Sequence, residues 1–117
     1  MRHRWGTPEI LYPHEKEGKT PEEIRKLEFG RLREDGRDMI LGDLRRGAIT
    51  REMALRYVSA KEANATYIEN LDEHMGVPGM PSTKEELEGR KELAEETRAV
   101  ARGMQEAIEI FDKEKNR

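Results

Sequence analysis

The stretch STKEELEGRKELAEETRAVARGMQEAIEIFDKE, residues 82–114, decides the fold. It contains no proline and opens with two overlapping capping boxes, Ser82 with Glu85 and Thr83 with Glu86, which satisfy the free amides of a first helical turn. Leu93, Thr97, Val100, Met104, Ala107 and Phe111 follow a four-three spacing, and Leu87, Ala94, Ala101 and Ile108 recur every seven residues beside them. That pattern predicts one helix over 83–115 carrying one broad apolar stripe. At ~1.5 Å per residue it is ~45–50 Å long, more than an ordinary globular helix needs. The pairs Glu86–Arg90, Glu88–Lys91, Glu95–Arg98, Arg102–Glu106 and Glu109–Lys113 are expected to keep its outer face wet, at ~0.2–0.5 kcal/mol each. Gly89 and Gly103 each weaken an exposed helix by ~1 kcal/mol, so something outside this helix must stabilise it. Gly103, next to Met104, also marks a place where another backbone can come close.

Immediately upstream, Gly76-Val77-Pro78-Gly79-Met80-Pro81 stops whatever precedes it. The preceding helix is predicted over 51–75, with Thr50 as its cap, Ile49 packing back as a staple, and Gly47 ending the helix before it in the left-handed conformation. Its stripe is Met53, Ala54, Tyr57, Val58, Ala65, Ile68, Leu71 and Met75, with Lys61 and Asn64 lying inside it. The plain reading of those two polar residues is a lysine stem snorkelling from an edge and an amide bonding across a helix pair. The sharper one is that they set register in an oligomer or contact a ligand. The run Gly47, Ile49, Thr50, Glu52, Ala54, Leu55 and Tyr57 resembles a segment near the carboxyl end of the secretion and pilus motor ATPases. Over residues 47–57 the resemblance implies a local helical corner, and no Walker phosphate loop accompanies it.

Thr20-Pro21-Glu22-Glu23 starts an earlier helix, with threonine as cap, proline in the first position and Glu23 closing a capping box. Ile24, Leu27 and Leu32 point one way on its wheel, while Phe29, Ile40 and Leu44 point another. One straight amphipathic helix does not fit all six. Asp35-Gly36-Arg37-Asp38 therefore predicts a break or kink, with helices over 21–34 and 37–46 that are either separate or continuous through a bend. Residues 1–19 hold Gly6, Pro8, Pro13 and Gly18 among Trp5, Ile10, Leu11 and Tyr12, which predicts an extended arm whose large apolar side chains dock on a helical surface.

The fold expected is all-α: a small bundle of three to four helices over 20–117, with a long C-terminal helix and an extended N-terminal arm. Charged residues make up 40% of the 117 and apolar ones 34%, so the core is thin and burial is expected to be completed by a partner. The charge is divided unevenly. Residues 1–61 carry 14 Lys and Arg against 11 Asp and Glu, whereas 62–117 carry 8 against 14, which fits either solvated faces or head-to-tail association of copies.

No cysteine is present, which removes disulfides and thiolate chemistry. No apolar run approaches the ~20 residues of a membrane span, and Met1-Arg2-His3-Arg4-Trp5 does not read as a signal peptide, so an intracellular, cytoplasmic protein is expected. His3, His14 and His74 are isolated, and Leu71 stands where a di-iron bundle wants glutamate, so no metal or other cofactor is expected. With no phosphate cradle, no nucleophile elbow and serines only at 59 and 82, catalysis is not expected either.

The preferred function is therefore protein–protein interaction: a small adaptor, regulator or assembly subunit that self-associates or clasps a target. Its expected contacts are Trp5, Tyr12, Leu93, Val100, Met104 and Phe111. This composition also suits phage or mobile-element factors that act on host machinery. The second class is a nucleic-acid-binding regulator using Arg45, Arg46, Arg51 and Arg56 around the glycine corner.

Overall fold

The computed structural model describes residues 10–70 and 83–116. Helices are the regular elements of the described residues: α1 (Pro13–Lys16), α2 (Pro21–Arg46), α3 (Arg51–Glu69) and α4 (Lys84–Lys115). Each long helix starts where its hydroxyl cap is. The Thr20 side chain accepts from Glu23 N at 3.2 Å, Thr50 from Met53 N at 3.2 Å, and Thr83 from Glu86 N at 3.1 Å. Ser82, the other candidate cap, lies outside the described residues. Gly47 ends α2 at φ 74°, and Ala48 N then donates to the Asp43 carbonyl at 2.9 Å, so the chain turns the corner into α3 as the glycine and threonine spacing predicts.

The arm, expected to be extended and free of regular helix, turns through the one-turn helix α1, which Pro13 can open because proline fits a first helical position. Of the break and the continuous bend open to residues 21–46, α2 takes continuity, as one helix of 26 residues. Gly36 does not break it, because this glycine is buried where α2 meets α4 and a Cβ added there would stand 2.7 Å from the Val100 carbonyl oxygen. The apolar residues of α2 point in different directions because different surfaces use them: Ile40, Leu41 and Leu44 enter the main core, whereas Leu27 shares a cleft with the buried Leu11 of the arm. α3 ends at Glu69, capped by Asn70 N donating to Thr66 O at 3.1 Å. Its expected continuation to 75 and the Gly76 stop lie outside the described residues.

α4 is the central element. Both α2 and α3 pack along it while touching each other little. α2 runs parallel to α4, from Arg25 beside Glu92 and Glu95 to Arg45 beside Glu114. α3 runs antiparallel, from Arg51 beside Asp112 to Glu69 beside Arg98. Ile40, Leu41, Leu44, Ala54, Val58, Met104, Ala107 and Ile108 form the core, edged by Ile49, Leu55, Val100, Ile110 and Phe111. Ile40 and Ile108, each 1% exposed, contribute ~1.5–3 kcal/mol apiece through burial. The buried residues of α4 are mostly small, Ala94, Ala101, Gly103 and Ala107, which lets two helices approach one axis closely. The closest approach is at Gly103, whose hydrogen-only side chain faces the backbone of Arg33.

The uneven charge of the two halves is used inside the chain. Arg25, Arg33, Arg45 and Arg51 of the first half meet Glu92 and Glu95, Glu106, Glu114 and Asp112 of the second. Glu95, Arg98 and Glu106, expected to pair along α4, reach to neighbouring helices instead.

Candidate functional site

Because α2 and α3 flank α4 without closing on each other, an open groove runs between them. Met39, Ile40 and Asp43 form the α2 wall, Tyr57, Ala60, Lys61 and Asn64 form the α3 wall, and Met104 of α4 lies at the floor. The cavity volume is about 620 Å³. Two large apolar side chains on its walls remain in water: Met39 is 53% exposed and Tyr57 42%. Exposed apolar side chains placed singly need no explanation, but two of them across one trough make a contiguous patch suited to a partner. Lys61 is half-buried and, among the described residues, has no ion pair, whereas Asp43 is held by Arg46 one turn on.

Helical register explains how α3 serves both core and groove. Ala54, Val58 and Ala65 are buried toward α4, while Tyr57, Lys61 and Asn64 follow one another every three or four residues along the groove-facing strip. The stripe read from the sequence is thus wider than one partner helix can cover. Lys61 and Asn64, the polar residues inside it, mark where the buried part ends. Met39 escaped sequence reasoning. Its signal was its place one residue before Ile40 and four before Asp43, on the edge of the buried face.

The expected contact residues are distributed as follows. Trp5 lies outside the described residues. Tyr12 is 66% exposed and stacks on His14 with ring centroids 5.8 Å apart. Leu93 is half-buried, and Val100 and Phe111 edge the core. Met104 is 3% exposed, so its burial is complete within one chain and only the groove floor lies beside it. The structure therefore brings Val100, Met104 and Phe111 together in the chain's own core, leaving Met39 and Tyr57 as the exposed apolar side chains of the groove.

The arginine cluster is engaged. Arg51 donates to both carboxylate oxygens of Asp112 at 3.0 and 3.2 Å, Arg45 donates from Nε to Glu114 at 3.0 Å, and Arg46 pairs with Asp43. These hydrogen bonds raise the Arg45 and Arg51 guanidinium pKa above the ordinary range, the carboxylate bond being the larger cause in each. Arg56 is exposed. A second cleft, of about 360 Å³, lies between Leu11, Glu15, Lys26, Leu27 and Arg31. There Glu15 accepts from Tyr12 N at 2.7 Å and from Arg31 at 2.6 Å, which holds its carboxyl below the usual range. The Arg98 guanidinium does the same for Glu69.

Among the described residues, no three His, Asp or Glu side chains gather closely enough to hold a metal ion, and no helix is long and apolar enough to cross a membrane. The chain matches no protein-family profile, and comparison with curated proteins and with solved structures gives no match.

Proposed function

We propose that this protein is a non-enzymatic protein–protein interaction module, an adaptor or assembly subunit, whose docking site is the α2/α3 groove. The observation that carries this reading is the pair Met39 and Tyr57, half-exposed on facing walls beside the buried Ile40 and above Met104. In a chain with so little apolar residue to spend, such side chains reward a second protein that covers them. Shape supports the same reading. A trough open along two helices admits a ridge of side chains from another helix, as amphipathic helices enter grooves on their partners, whereas small-molecule sites enclose most of their ligand. Nucleic-acid binding through Arg45, Arg46 and Arg51 draws less support, since each would have to exchange a carboxylate for a phosphate.

A photo-crosslinking residue in place of Ala60 tests the reading in cells expressing the full chain. The expected result is a discrete protein adduct that disappears when Tyr57→Glu is added, and that a crosslinker at the exposed Ser59 does not give. Equal, diffuse labelling from both positions would reject the groove as a docking site.

A further inference from the structure

Resting on that reading, we infer that the occupant of the groove is an acidic amphipathic helix of a separate protein, seated diagonally across from α4, with an Asp or Glu carboxylate received by Lys61 and Asn64. The packing specifies a helix. α2 and α3 each lie along α4 and touch each other little, which is the relation of two diagonal helices in a four-helix bundle. The corner opposite α4 is then the groove itself, and a fourth helix laid there has Met39 on one side and Tyr57 on the other. The chain's own remaining segments do not have the sequence for it, since Pro8 interrupts 1–9 and Pro78 and Pro81 interrupt 71–82.

Charge specifies the chemistry of that helix. The ion pairs along α4 are Arg45 with Glu114 on the α2 side, and Arg51 with Asp112 and Glu69 with Arg98 on the α3 side, which sets Asp43 toward one end of the groove and Lys61 with Asn64 toward the other. At the first end the charge is balanced, because Arg46 holds Asp43. At the second it is not. The half-buried arginines Arg25, Arg31, Arg37, Arg90 and Arg98 each have a carboxylate partner, whereas the half-buried Lys61 has none among the described residues. A protein that covers the groove takes water from this ammonium, and a covered charge without a counter-charge opposes binding. A helix has no spare backbone acceptors along its length, so the compensation comes from a side chain, and Asp or Glu brings the opposite charge. Asn64, three residues on from Lys61 and exposed on the same strip, offers its amide N–H to the same carboxylate. Tyr57 stands four residues before Lys61, so the carboxylate lies about one turn from the apolar residue that enters between Met39 and Tyr57.

The test is selection of helical peptides from a displayed library on the full chain. The library is an alanine-based helix about five turns long with a fixed leucine stripe, its flanking positions varied among Glu, Gln and Lys. On the wild type the enriched peptides should carry Glu about one turn from a stripe leucine, and exchanging that Glu for Lys should weaken binding about tenfold or more by fluorescence anisotropy. Lys61→Glu should reverse the preference, while Arg56→Glu, exposed on the same helix but not lining the groove, should leave it unchanged. Circular dichroism checks that each variant keeps its helices. No enrichment, enrichment without charge preference, or the same preference on Lys61→Glu overturns the acidic helix. Light scattering on the chain alone covers the rival occupant: a wild-type mass of twice 13.6 kDa that Tyr57→Glu returns to 13.6 kDa puts a second copy there and overturns the separate partner. If the enriched peptides bind Tyr57→Glu as well as the wild type, the groove is not the docking site and both readings fall. If they need Tyr57 but ignore the charge at 61, the groove still docks a protein and only the acidic helix fails.

Discussion

Replacing Gly103 by alanine probes the crossing on which the fold depends. An added Cβ would stand 2.7 Å from the Arg33 carbonyl carbon and 3.0 Å from its Cα, and closer still to the carbonyl oxygen, where ordinary contacts begin at 3.4 Å. The obstacle is helix backbone, not the tip of a flexible side chain, so α2 must retreat from α4 by about 0.7 Å or more over the whole contact. Overpacking of this kind costs ~1–3 kcal/mol, and the gain in helix propensity returns ~1 kcal/mol. With backbone pressed on backbone the cost falls at the upper end, leaving a net loss of about 2 kcal/mol, or roughly 8 °C in Tm for a chain of this size. Two companion variants set the scale. Gly36→Ala meets Val100 O at 2.7 Å and its Cγ1 at 3.2 Å, a milder clash, and should lose less. Gly42→Ala, in the same helix with nothing within 4 Å, should gain ~1 kcal/mol. Thermal unfolding followed by circular dichroism should therefore rank the proteins Gly42→Ala, wild type, Gly36→Ala, Gly103→Ala. A Gly103→Ala protein melting at or above the wild type would refute the close crossing.

Other parts of the structure make independent predictions. Ile108→Ala should cost ~2–5 kcal/mol in urea unfolding, whereas Leu87→Ala, seven-residue-periodic with it but 47% exposed, should change stability by less than ~0.5 kcal/mol. Thr50→Ala, which strips the α3 cap from Met53 N, should cost ~1 kcal/mol. Glu69 and Glu15 have folded pKa values below the ordinary ~4.3, so the stability they lend is complete above that pH and is lost as pH falls through the folded values. A Tm profile across the acid range should accordingly flatten in Glu69→Gln with Glu15→Gln, and an unchanged profile would remove the role assigned to Arg98 at Glu69 and to the Tyr12 amide with Arg31 at Glu15.

Local signals were legible in the sequence wherever one residue type determines one geometry. Thr20, Thr50 and Thr83 start their helices, Gly47 turns the corner, and the spacing from Leu93 to Phe111 marks the face of α4 that packs inward. Signals that depend on which helix lies opposite were not legible. Gly36 reads as a breaker by propensity, yet it is a contact point, because proximity to Val100 outweighs the ~1 kcal/mol that a helical glycine costs. Charge spacing along α4 gave pairs within one helix, while Arg25, Arg33 and Glu69 offered nearer partners across helices. The groove was half visible. Lys61 and Asn64 stood out as polar residues in an apolar stripe, but Met39 gains meaning only once α2 lies across from α3.

The central claim is that the α2/α3 groove is covered by a protein surface, and pulsed oxidation of the methionines tests it most directly. Met39 lines the groove and Met53 does not, yet both are exposed in the single chain, at 53% and 36%, while Met104 is buried at 3%. The account predicts that Met39 oxidises more slowly in cells that express the full chain than in the dilute purified chain, with Met53 oxidising at the same rate in both and Met104 slow throughout. Equal Met39 rates in the two settings would contradict it.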